Sequence, residues 1–100
     1  MNIPYSFSNM TVVKLPLVAN TVTVAASDSV LAHVLTGRSA VLVHNGGNTT
    51  IYFGDSDVDS DRGIPIAAGM QMIFPTIKET AVYLYSVDVN DGVVIAEFFD

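Results

Sequence analysis

One hundred residues make one domain, and a domain of that size buries only about 60–65% of the surface its unfolded chain exposes. Half of the residues are hydrophobic and 14% are charged, against about 25% charged in an average soluble domain. The net charge of −6, with basic residues scattered at Lys14, Arg38, Arg62 and Lys78, argues against partners such as nucleic acid or an anionic membrane surface, both of which need clustered Lys and Arg.

The chain has no Cys, so neither a disulfide framework nor a thiolate metal site is open to it. Its start, Met1-Asn-Ile-Pro-Tyr5, lacks the basic segment and apolar run of a signal peptide. No stretch approaches the ~18 uninterrupted apolar residues of a membrane span. So few charges cover the surface of a small globule poorly. Contact with other protein chains is therefore expected, a sticky monomer being the alternative.

In chain order, residues 1–9 read as an extended N-terminal arm whose Ile3, Tyr5 and Phe7 are candidate contacts with a neighbour; a simply disordered end is the alternative. Residues 10–100 read as a single β domain. Thr11–Leu15 is a short strand closed by Pro16, and Ala19–Ala25 alternates Val22 and Val24 against Thr21 and Thr23, the period of a half-exposed strand. Val30–Leu35 suits either a short helix capped by Asp28 or a strand. Strand Ala40–His44 meets Asn45-Gly-Gly-Asn48, which suits a tight hairpin into Thr49–Phe53 because Gly and Asn tolerate positive φ.

An acidic loop follows over Asp55–Gly63, and Pro65 marks a sheet edge or the start of a strand. Met70–Phe74 is closed by Pro75. Ala81–Val87 and Val93–Phe99 read as a last hairpin across Asp91-Gly92. Six to eight short strands at this spacing predict an all-β fold, a small antiparallel β-sandwich or barrel.

The last two strands are apolar on both faces. Val82 and Leu84 oppose Tyr83, Tyr85 and Val87, while Val93, Ile95 and Phe99 oppose Val94, Ala96 and Phe98. A thin sandwich buries one face of each strand, so the spare face is expected to be covered by another chain or by the arm. Tyr83, Tyr85 and Phe98 join the arm residues as candidate interface positions, Tyr being favoured at interfaces for its apolar ring and hydrogen-bonding tip.

Asp55-x-Asp57-x-Asp59-x-Asp61 packs four carboxylates into seven residues, a candidate site for a hard cation such as Ca²⁺. An EF-hand would carry Gly and Glu where this loop has Ser60 and Ile66. The other open reading is a solvated turn whose Asp side chains bond their own backbone. No other cofactor is indicated. His33 and His44 are the only histidines, and neither has a second ligand or a nucleophile motif beside it. An enzyme is not expected, and His44 reads as a strand residue on the face opposite Val41 and Val43.

Val41–Asn45, Ile51-Tyr-Phe-Gly54-Asp-Ser-Asp-Val58 and Gly63-Ile-Pro-Ile-Ala-Ala-Gly69 stand in an order that resembles small structural proteins of tailed bacteriophage virions. In those proteins an x-Tyr-x-Gly-x-x-x-Val segment is followed by Gly-x-Pro-Leu/Ile-x-x-Gly. An aromatic strand (here Tyr83 and Tyr85) and a Gly-Val-Val strand (here Gly92–Val94) come last. The resemblance spans about residues 38–99 and departs at Asp59 and Asp61, where Thr, Ser or Asn is more usual. It implies a virion component made in the host cytoplasm: a capsid decoration (cement) protein that forms a homo-oligomer, a trimer for preference, on the major capsid protein. The alternative is a tail or head-fibre accessory module that binds the host, with a cation in the acidic loop.

Overall fold

The computed structural model describes residues 10–26, 38–75 and 81–99. The arm residues Ile3, Tyr5 and Phe7, and the ambiguous Val30–Leu35, lie outside the described residues. The described chain forms eight strands: β1 (Met10–Lys14), β2 (Thr23–Ala26), β3 (Arg38–Asn45), β4 (Ile51–Gly54), β5 (Ile64–Ile66), β6 (Gln71–Pro75), β7 (Val82–Ser86) and β8 (Val93–Phe99). They build two four-stranded sheets, β1-β8-β3-β6 and β2-β7-β4-β5, and every ladder is antiparallel.

The pairings nest. β4 pairs β5, β3 pairs β6, β2 pairs β7 and β1 pairs β8, so the chain is one long hairpin doubled back on itself. Rolling that hairpin up sets β3 beside β8 and β4 beside β7. The result is the eight-stranded jelly-roll topology, a form of the antiparallel sandwich.

The alternation in the sequence sorts residues between the two faces. Val41 and Val43 of β3 and Val93 and Ile95 of β8 point inward and meet Ile51, Ile66 and Leu84 of the other sheet, all essentially inaccessible to solvent. Burying each such side chain contributes about 1.5–3 kcal/mol. In β2 a register shift between Val24 and Ala26 turns Ala25 into the core. Val22 and Val24 are left half-buried. Pro65 sits on β5, an edge strand, where a missing N–H costs no ladder bond.

Two expected hairpins are not hairpins. β3 and β4 belong to different sheets, as do β7 and β8, so Asn45–Asn48 and the link through Asp91-Gly92 are crossings between sheets. Neither Gly46, Gly47 nor Gly92 has a positive φ; among the described residues that backbone occurs at Asn20 (φ 56°) and Gly69 (φ 83°). The glycines of the crossings serve close approach instead. Gly46 N–H donates to Gly92 O at 2.9 Å. A Cβ on Gly92 would strike the Gly46–Gly47 backbone, and one on Gly47 would strike the Asn90 amide.

Candidate interaction surfaces

The largest described cluster of polar side chains closes one end of the sandwich. Asn45 and Asn90 are buried at 0% and 2% exposure. Asn45 Nδ2 donates to Thr49 O and Ile66 O, both at 2.8 Å. Asn90 Nδ2 donates to Asn45 Oδ1 (3.0 Å), Thr49 O (3.1 Å) and Thr49 Oγ1 (3.2 Å). Their carbonyl oxygens accept Gly47 N–H at 3.2 Å and Gly92 N–H at 3.0 Å. Backbone pairs Leu17–Asn90 and Asn45–Gly69/Met70 extend the knot to the β1–β2 and β5–β6 links. Each buried polar group finds a partner, which is what makes such a network stabilising rather than costly. The knot is an internal fastening, and its amides offer nothing to a ligand.

At the opposite end, the acidic loop folds around Val58, which is 1% exposed. Asp55 Oδ1 accepts Asp57 N–H at 2.9 Å, and Asp59 Oδ1 accepts Asp61 N–H and Arg62 N–H at 2.8 Å. These are Asx turns, in which the carboxylate caps its own backbone. Among the described residues no three His, Asp or Glu side chains stand where they hold a metal ion together. Asp55, Asp57, Asp59 and Asp61 are thus close in sequence without converging on a point.

The outer face of the β1-β8-β3-β6 sheet is a different kind of surface. Cross-strand register aligns Val12, Ala96, Leu42 and Ile73 in one row, with Val12 54% and Ile73 41% exposed at its ends and Ala96 buried at 6% between them. Neighbouring rows hold Met10, Phe98, Ala40 and Pro75 on one side and Lys14, Val94, His44 and Gln71 on the other. None of these twelve ladder positions is acidic, although the chain has ten Asp and Glu residues. His44 is half-buried on this face, and its Nδ1 is buried without a hydrogen-bond partner.

The outer face of the β2-β7-β4-β5 sheet is aromatic. Tyr85 and Tyr52 are cross-strand neighbours with ring centroids 6.5 Å apart, and Tyr52 lies opposite Pro65. Tyr85 Oη donates to Asn20 Oδ1 at 2.8 Å, which anchors the left-handed turn at Asn20. Tyr83 and Tyr85 are half-buried on this face.

Phe98 does not share that surface. It belongs to the other sheet and is only 4% exposed, packed in a second cluster with Ala40 and Ala96 beside Met10 and Leu42. Phe98 is therefore buried on the outer face of the β1-β8-β3-β6 sheet, apart from the core between the sheets, and the expected grouping of Tyr83, Tyr85 and Phe98 on one surface fails because β7 and β8 lie in different sheets. Glu97 was missed altogether. It alternates with Val93 and Ile95, so it points inward, is 2% exposed, and is partnered. Its place in the period-two pattern was the available signal. Comparison with protein-family models, curated proteins and solved structures finds nothing that matches this chain.

Proposed function

We propose that this chain is a virion structural protein, a capsid decoration module that self-associates and stabilises the head shell. The observation that carries the reading is the apolar row Val12–Ala96–Leu42–Ile73, which crosses all four strands of one outer face. Its ends, Val12 and Ile73, are exposed while Ala96 between them is buried, and exposed apolar side chains gain by being covered, at about 25 cal/mol per Å² of apolar surface removed from water.

The face also suits a second copy of the chain. Two molecules of net charge −6 repel, and a face whose ladder positions carry no carboxylate is where they approach at least cost. Face-to-face contact of identical rows gives a dimer. The trimer favoured by the sequence resemblance requires this row to meet a different patch on the next copy, for which the tyrosine face of the other sheet is available. The jelly-roll topology supports the reading at the level of analogy only, since capsid domains share it with lectins and cupins.

Light scattering on the purified chain tests the proposal. The native protein is expected to run as an oligomer, and Val12→Asp/Ile73→Asp as a monomer with an unchanged circular-dichroism spectrum. A native protein that stays monomeric at high concentration overturns it.

A further inference from the structure

We infer that the cleft at the acidic-loop end is a socket for an apolar side chain flanked by Lys or Arg, presented by a segment of a partner protein. The cleft lies between the sheets at the end remote from the asparagine knot. It has a volume of ≈ 340 Å³ and is lined by Phe53, Gly54, Asp55, Phe74, Pro75, Ala81 and Val82. That volume is at the lower end of the ~300–1,000 Å³ range of ligand sites. Phe53 and Phe74 come from opposite sheets and pack with ring centroids 4.0 Å apart, tilted by 38°. The lining is thus an aromatic pair held by two different layers.

Two features select the occupant. Among the described residues the lining has a single charged side chain, Asp55, whose Oδ1 accepts Asp57 N–H. Small-molecule sites orient their ligands through several convergent polar groups; a carbon-lined hole with one carboxylate instead resembles the pockets that receive one anchoring side chain at a protein interface. The second feature is charge. Asp55 opens a loop that carries four carboxylates and one guanidinium, Arg62. The field at the mouth draws in a cation and rejects an anion. A hydrophobic residue next to a basic one meets both conditions, whereas a fatty acid or an acidic peptide meets only the first. The inference adds a partner class to the virion reading without depending on self-association, because it is tested on the isolated chain.

The test is a ¹H–¹⁵N titration of the full chain with capped tetrapeptides Gly-Phe-Arg-Gly, Gly-Phe-Glu-Gly and Gly-Ala-Arg-Gly, and with phenethylammonium. Gly-Phe-Arg-Gly is expected to shift the amides of Gly54, Ala81 and Val82 saturably. Gly-Phe-Glu-Gly should bind about fivefold more weakly, the upper end of what one exposed charge pair supplies, and Gly-Ala-Arg-Gly should give no localised shifts. Asp55→Asn keeps the Asx-turn acceptor and should weaken Gly-Phe-Arg-Gly by a similar factor, while Ala81→Trp should abolish binding by filling the cleft. Both variants should leave the light-scattering mass unchanged. Absence of shifts with Gly-Phe-Arg-Gly, or equal binding of the Arg and Glu peptides, overturns the inference. So does phenethylammonium binding as tightly as the peptide, which would make the cleft a small-amine site.

Discussion

The two ends of the sandwich are held by opposite strategies. At the knot end, two buried asparagines reach across sheets and fasten distant links to one another. At the acidic end, each aspartate serves its own neighbours two or three residues away. The first arrangement ties together residues 45 positions apart in the chain; the second only shapes a loop. Among the described residues, long-range side-chain fastening therefore sits at one end, while the other carries the cleft and most of the described negative charge.

Substitutions sharpen this contrast, beginning with the knot. Asn90→Ala removes a donor shared by Asn45 and Thr49 and the acceptor for Gly92 N–H. Leaving several buried groups unpaired, at about 1–3 kcal/mol each, should cost about 4 kcal/mol in denaturant unfolding. A loss below about 1 kcal/mol would mean that the network relaxes onto other partners. Val58→Ala comes next. Removing two buried methyl groups from the plug of the acidic loop should cost about 2 kcal/mol, read from the same unfolding curves, with the loss confined to that end in hydrogen exchange.

The smallest effects separate the aspartates. Asp59→Ala removes the acceptor for two backbone amides and should cost about 0.5–1 kcal/mol, whereas Asp57→Ala should stay within about 0.5 kcal/mol of neutral. Ca²⁺ is expected to leave the melting temperature unchanged, since only a ligand that binds the folded form raises it. A rise that Asp57→Ala abolishes would show that the loop rearranges to gather its carboxylates.

Strand positions were legible because alternation is a local property: Val82 and Leu84 are buried and Tyr83 and Tyr85 half-buried, as their spacing implies. Strand partners were not. Asn45-Gly46-Gly47-Asn48 carries every local mark of a hairpin turn, yet its glycines answer to Asn90 and Gly92, far along the chain. Local turn chemistry cannot distinguish a turn within a sheet from a crossing between sheets when both demand small residues. The same blindness grouped Phe98 with the tyrosines. In β2, one extra residue was enough to exchange Ala25 for the valines as the inward side chain. The acidic loop was legible as an Asx-capped turn, one of its two open readings, because Asp bonding to its own backbone involves no distant residue.

Nested pairing also sets the order in which the molecule can be built. Among the described strands β1 finds its ladder in β8, with Met10 opposite Phe98, so during translation β1 must wait for β8. Topologies dominated by such distant pairings fold slowly, and the waiting strand is an unpaired edge throughout. The innermost pair, β4 with β5, spans the shortest separation and closes around Val58. The acidic loop at its tip is thus the natural starting point from which the remaining strands zip outward toward both ends of the chain.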